Sequence, residues 1–333
     1  MKKLFQWSTL SLFGLLFLFV SAPESKEPLK IGLVLDKGGK DDRSFNSAAF
    51  EGAMKAKKDL QAFVKYVEAT DDNAFEPLLR SFAQKHFDVV IAIGVSQVEA
   101  VRKVSAQFPD QSFAIVDGEV KAPNVRSLLF EEQEGSYIVG AIAALSSKSG
   151  TVGFIGGMDI PLIRRFATGY AQGAKDMNPK IKIISNYVGI TADAWNNPTK
   201  AKELAVTQYE SGADVVFSAS GASGNGIFDA AEEKKKFAIG VDSNQDWVKP
   251  GYILTSMVKR VDQAVYATCK DIFDKKFTSG VQRFGLANHG VDYTKDSYNE
   301  KILSPAVIKR VDELKAKIIA GKILVSDYYK TKK

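Results

Sequence analysis

One repeated pattern governs what this chain can fold into. A short apolar run ends in a small or acidic residue, then glycine or serine. It recurs six times, as "IGLVLDKGG", "VVIAIGVS", "FAIVDGE", "VGFIGGMD", "VVFSASG" and "FAIGVDS". Unbroken apolar runs of this length suit strands buried on both faces of a parallel sheet. Helical patterns lie between most of them. In "SAAFEGAMKAKKDL" (Ser47–Leu60), Phe50, Ala53 and Met54 fall near one face and the lysines elsewhere. "EPLLRSFAQKHF", "SQVEAVRKVSAQF", "RRFATGYAQGAKDM" and "NPTKAKELAVTQYESG" behave alike. Strands alternating with helices predict an α/β architecture with parallel sheets. Three of the six strand ends precede residue 130 or so and three follow it, which argues for two similar doubly wound lobes rather than one large sheet. The chain's 333 residues are enough for two such cores. "NVRSLLFEE" and "GYILTSMVKR" are extended and β-rich without a helix signal at their start, and are expected to cross between the lobes.

The N-terminus reads as a targeting segment. Lys2 and Lys3 form a basic region, Leu10–Val20 ("LSLFGLLFLFV") an apolar one, and Val20–Ala22 a small-residue cleavage site. A signal peptide over residues 1–22 is predicted, and Pro23 leaves an uncleaved anchor as the alternative. No other segment is long and apolar enough to span a bilayer. No cysteine stands directly after the apolar region, so a lipid anchor on a mature N-terminal cysteine is not expected. The single cysteine, Cys269, lies in the helical stretch "VDQAVYATCKDIF" and reads as a small core residue. An exported chain with one cysteine has no internal disulfide and depends on its core for stability. The formal charge of +6 includes Lys2 and Lys3, and the basic runs "EEKKKF" and "KTKK" lack interleaved aromatics. They read as solvated surface, not as a nucleic-acid interface.

In doubly wound sheets, ligands bind outside the carboxyl ends of the strands. The unusual residues gather there: Asp36, Gly94, Asp117, Gly156, Gly157, Gly221 and Asp242. Four chemistries compete for them. "DKGGKDD" offers Asp36, Asp41 and Asp42 to a hard cation. An acidic cluster after the first strand is superficially similar to that of nucleoside hydrolases, but Gly38 stands where a further acid would be needed and lysines flank it. "GASGNG" (Gly221–Gly226) is glycine-rich yet neither G-x-G-x-x-G nor a P-loop, and reads as a close approach of backbone to a ligand. Nucleophilic catalysis has no G-x-S-x-G elbow, and His86 and His289 have no evident partner or zinc-ligand spacing. A neutral polar ligand fits best. Strand-end aspartates accept hydroxyls or ring N–H groups, although each taken alone is as readily a helix cap. Phe45 and Trp195 in adjacent loops are able to flank a flat ring.

"DKGGKDDRSFN", "FAIVDG", "GFIGGMDIPLIRRFATGYAQGAK", "DVVFSASGASGNGIFDAA", "AIGVDSNQ" and "ILTSMVKRVDQAV" together resemble, in order and spacing, the basic membrane protein family. These are PnrA-like substrate-binding proteins of ABC transporters. The resemblance runs from about Lys30 to the C-terminus. It implies the type I periplasmic-binding-protein fold, two doubly wound parallel-sheet lobes joined by three hinge crossovers, with ligand in the cleft. The lobes are expected at 28–128 plus 258–281 and at 129–257 plus 282–333. The implied function is to capture a nucleoside, largely purine, and to deliver it to an ABC permease and ATPase complex in the inner membrane. The implied state is an exported monomer, periplasmic or membrane-associated, with no enzymatic activity, no cofactor, no metal and no nucleic acid. Carried over by position, Asp36 opens the first binding loop and Phe45 stacks on the base. Asn46 and Asp117 address the base edge. Trp195 forms the second stacking wall, where the family usually carries Phe. Gly221 brings backbone near the ribose, and Asp242 and Lys259 meet its hydroxyls. The larger indole leaves the preferred base open. So does the fold, which also serves sugars, free bases or autoinducers, in transport or in sensing; a nucleoside hydrolase-like enzyme is the remaining alternative.

Overall fold

The computed structural model describes residues 27–331. The predicted signal peptide lies outside them. Two six-stranded sheets carry the molecule. The first contains β1 (Lys30–Leu35), β2 (Phe63–Glu68), β3 (Val89–Ile93), β4 (Ser112–Val116) and β5 (Val125–Phe130). The second contains β6 (Thr151–Met158), β7 (Lys182–Gly189), β8 (Val215–Ala219), β9 (Phe237–Asp242) and β10 (Ile253–Lys259). β11 (Gly280–Phe284) then joins the first sheet and β12 (Val291–Tyr293) the second. The strand orders are β2-β1-β3-β4-β5-β11 and β7-β6-β8-β9-β10-β12. The same connectivity is thus used twice. All pairings are parallel except that of β12 with β10. In each sheet the order reverses beside its first strand, which opens a crevice at the carboxyl ends of β1 and β3, and of β6 and β8.

The apolar runs are the central strands. β3 and β8 are buried at every residue, and β1, β4 and β9 at all but the first. The connecting helices cover both faces, as parallel sheets require. They are α1 (Phe45–Asp59), α2 (Phe75–Gln84), α3 (Val98–Gln107) and α4 (Glu132–Ser146), then α5 (Pro161–Met177), α6 (Pro198–Glu210) and α7 (Gly224–Lys234). α8 (Val261–Phe273), α9 (Pro305–Ile319) and the short α10 (Tyr328–Thr331) complete the set. One core runs through both lobes; a second lies beneath α2 and α3, and a third beneath α6 and α7. Cys269 is in the first, fully buried, and burial pushes its thiol up to about 12, so it is an inert packing residue.

The chain passes between lobes three times. β5 belongs to the first sheet, whereas α4 packs on α5 of the second lobe, so the first crossing is at Glu131. β10 belongs to the second sheet and α8 packs back on α1, which places the second crossing at Arg260. The third lies after Phe284. A lobe boundary at 281 would cut β11, which stays paired with β5 through Phe284 opposite Phe130. The crossings are tied together: Glu131 N–H donates to the Phe284 carbonyl (2.8 Å) and Arg260 N–H to that of Gly290 (2.9 Å).

Candidate functional site

The strand ends of the two lobes face one cleft, which encloses about 620 Å³ including its mouth. Asp36, Phe45, Asn46, Asp117, Trp195, Gly221, Asp242 and Lys259 all line it.

The first wall is the loop after β1. Asp36 Oδ1 accepts from Gly38 N–H (2.9 Å) and from Asn46 Nδ2 (2.7 Å), and Asp36 N–H donates to Asn46 Oδ1 (3.1 Å). Asn46 Nδ2 also donates to Asp42 Oδ2 (3.0 Å). Both amide protons of Asn46 are therefore committed within the loop. Asn46, expected to address the base edge, here braces Asp36 within the loop. Asp42 is buried, and its carboxylate accepts from the N–H groups of Ser44 (2.8 Å), Asn46 (2.9 Å) and Ser47 (3.0 Å). It caps α1, at whose first position Phe45 stands. Asp41 is exposed and pairs with Lys40. The acids that looked like a cation cluster thus disperse into separate tasks. A side chain at position 38 would have no room, because a β-carbon there would stand 2.7 Å from Asn46 Nδ2.

Asp117 and Asp242 occupy equivalent places, at the ends of β4 and β9. Each has φ of 65°. Left-handed backbone is unfavourable for a residue with a side chain, and it persists only where the surroundings enforce it. Asp117 Oδ2 accepts from Lys259 Nζ at 2.5 Å, and Asp242 Oδ2 from Ser44 Oγ at 2.7 Å. Asp117 Oδ1 is buried with no donor among the described residues. Lys259, 1 % exposed at the end of β10, also lies 3.3 Å from Glu132 Oε1. Its ammonium sits over the rings of Phe45 (5.1 Å), Phe130 (5.1 Å) and Phe166 (5.6 Å). Burial works against this cation, but Asp117, Glu132 and Asp242 outweigh it, and Lys259 is held above the ordinary lysine range. Burial pushes Asp36 up to about 6, against its bonds from Asn46 and Gly38. Burial pushes Asp242 up to about 6 as well, against Lys259 and Ser44.

The far wall comes from the second lobe. Leu162, Ile163 and Phe166 of α5 supply apolar surface, and Trp195 a ring. Gly221, at φ of 58°, passes under the Trp195 turn; a β-carbon there would lie 3.3 Å from the Trp195 carbonyl. Sequence reasoning did not single out Glu132, Ser44 or the α5 residues. "DIPLIRRF" carried the signal for the last group, since Pro161 opens α5 at the cleft. Glu132 had none: it is the first residue of a helix read only as a crossing.

Behind Glu132 lies Arg165, with Nη1 at 2.5 Å from it, Nη2 at 3.0 Å from Glu131 and Nε at 2.9 Å from Asp327. The lobes also grip each other at the mouth. Ser243 Oγ donates to the Ser44 carbonyl (2.8 Å), Gln245 Nε2 to that of Arg43 (2.9 Å), and Lys37 pairs with Asp193. These contacts bridge the two lobes at the mouth. Among the described residues no helix is long and apolar enough to cross a membrane.

A family model described as ABC transporter substrate-binding protein, PnrA-like, matches residues 30–328. The chain is 33% identical over 327 residues to a protein of Listeria monocytogenes named CD4+ T-cell-stimulating antigen, covering 91% of this chain and 90% of that one. It is 34% identical over 327 residues to the ABC transporter nucleoside-binding protein BmpA of Lactococcus lactis subsp. cremoris, covering 90% of each. Among solved structures it is similar to an ABC transporter solute-binding protein of Aeropyrum pernix, with TM-score 0.83, 29% identity and coverage of 90% of this chain and 94% of that one. Proteins of this kind bind a ligand and work with a permease and an ATPase. The motifs, the duplicated α/β lobes and the cleft between them agree with these matches, and the chain belongs to the PnrA-like family of ABC transporter substrate-binding proteins.

Proposed function

We propose that this protein is an exported carrier that captures a nucleoside, preferably a purine nucleoside, between its lobes and hands it to an ABC permease. It binds its ligand without converting it. The observation that carries this reading is Asp117 Oδ1, which has no donor among the described residues and is buried in a cleft that also holds Phe45 and Trp195. A buried acceptor without a donor costs about 1–3 kcal/mol. A ligand N–H removes that cost, and a base has both the N–H and the flat apolar faces. Stacking on an aromatic side chain contributes about 1–3 kcal/mol per base. Asp242 and Lys259 offer an acceptor and a donor to ribose hydroxyls, and Asp36 a further acceptor. The nucleoside named in the Lactococcus lactis relative points the same way. Ligand carried through native purification tests the proposal. Protein unfolded after purification is expected to release one equivalent of a purine nucleoside, identified by mass spectrometry. Release of a sugar or an autoinducer in its place would overturn it.

A further inference from the structure

Trp195 lines the cleft; Gly157, buried near the end of β6, does not. The two are nonetheless in close contact. A β-carbon at position 157 would lie 2.9 Å from Trp195 Cη2 and nearer still to Cζ3 and Cε3. Carbon atoms without a bond between them settle about 3.5–4.0 Å apart, so the six-membered ring of the indole fits only because position 157 has no side chain. The turn that carries Trp195 has little freedom to retreat. Ser223 Oγ donates to the Ala194 carbonyl (2.7 Å) and accepts from Asn197 N–H (2.7 Å). Gly221 passes beneath the Trp195 carbonyl, and Asp193 pairs with Lys37 of the opposite lobe. With its backbone pinned on these sides, an indole pushed off Gly157 has the cleft as its open direction.

We infer that Gly157 is a specificity-determining residue. It is the seat that sets how far the Trp195 wall stands into the cleft, and hence the thickness of flat ligand the cleft admits. This rests on Trp195 being a ligand wall, as proposed above. The three crowded atoms, Cε3, Cζ3 and Cη2, all belong to the six-membered ring of the indole. A phenylalanine at 195 lacks the outer part of that ring, so it needs no such seat. Gly157 and Trp195 therefore act as a pair.

The test uses the full chain and four proteins: unmodified, Gly157→Ala, Trp195→Phe, and the two combined. Affinity for adenosine, guanosine and inosine is read by calorimetry, and folding by the melting temperature. Gly157→Ala is expected to weaken purine nucleoside binding about tenfold or more while still melting cooperatively. The double variant is expected to recover the affinity of Trp195→Phe alone. Unaltered affinity in Gly157→Ala, or a double variant as weak as Gly157→Ala, would overturn the inference. A second reading needs no ligand. In protein labelled with 7-fluorotryptophan, whose fluorine sits on the uncrowded Cζ2, the Trp195 fluorine resonance, assigned by its loss in Trp195→Phe, is expected to move in Gly157→Ala. If the unmodified protein binds no nucleoside, the functional proposal fails by itself; the seat is then judged by that resonance, and an unmoved signal would overturn it.

Discussion

At the residue scale, the cleft concentrates carboxylates around one ammonium. Asp36 and Asp242 are held up to about 6 by burial, and so is Asp246, whose buried carboxylate accepts from Ser256 and Thr294. An unfolded aspartate titrates near 3.9. A carboxyl whose folded pKa stands above its unfolded one binds its proton more tightly when folded. The empty protein therefore gains stability as pH falls from above 6 towards 4, by on the order of 2–3 kcal/mol at most for each acid. Ligand hydroxyls and N–H groups need the ionised acceptors, so affinity is expected to fall over the same interval. Melting temperature of the empty protein and nucleoside affinity, measured from pH 7.5 to 5, should move in opposite directions; parallel movement would contradict the assignment of Asp36 and Asp242 to the ligand. Asp242→Ala is expected to remove most ribose-dependent affinity, checked by titration with a nucleoside and its free base. At neutral pH it relieves a buried charge but also removes the Ser44 bond between the lobes, so the melt is expected to stay cooperative with little net change in melting temperature. Unchanged affinity would reject that role. Trp195→Ala should weaken binding by about 1–3 kcal/mol, the value of one lost stacking face, as read by tryptophan-independent calorimetry.

At the scale of the elements, the loop from Asp36 to Asn46 is one folded unit with α1. Asp42 caps the helix, Asn46 braces Asp36, and Phe45 is carried on the first turn. Loss of a cap of this kind costs about 0.5–2 kcal/mol. Asp42→Ala is expected to lower stability by that amount in chemical denaturation and to weaken ligand binding as well, because Phe45 and Asp36 lose their support. Reduced stability with full affinity would separate the cap from the site. The central strands were legible because burial on both faces leaves an unbroken apolar run. β2 and β7 were not, because they are edge strands whose mixed exposure interrupts the pattern. α4 escaped for the opposite reason: twelve of its fifteen residues are buried, so it has no polar face to set a helical period. Asp36, Asp117 and Asp242 were legible as acids ending apolar strands. Their partners were not, since Ser44 and Glu132 reach Asp242 and Lys259 only through the joining of separate segments.

At the scale of the whole molecule, two copies of one α/β connectivity meet through contacts between their lobes. Lys259 of the second sheet pairs with Asp117 of the first, and Ser44 with Asp242, so both ends of the proposed ligand are held by residues that also bind lobe to lobe. Ligand binding shifts such a hinge toward the closed form by its differential affinity for the two states. Lys37 and Asp193 pair at the exposed rim, where an ion pair is worth about 0–1 kcal/mol. Lys37→Ala is expected to hasten ligand release in stopped-flow measurements while changing equilibrium affinity little. The central claim is that the cleft recognises a base and a ribose together. Calorimetric titration of the ligand-free protein with adenosine, guanosine, inosine, uridine, adenine, ribose and galactose tests it most directly. The account predicts one-to-one binding of a purine nucleoside, much tighter than its free base or ribose alone; tight binding of a sugar with no response to any nucleoside would contradict it.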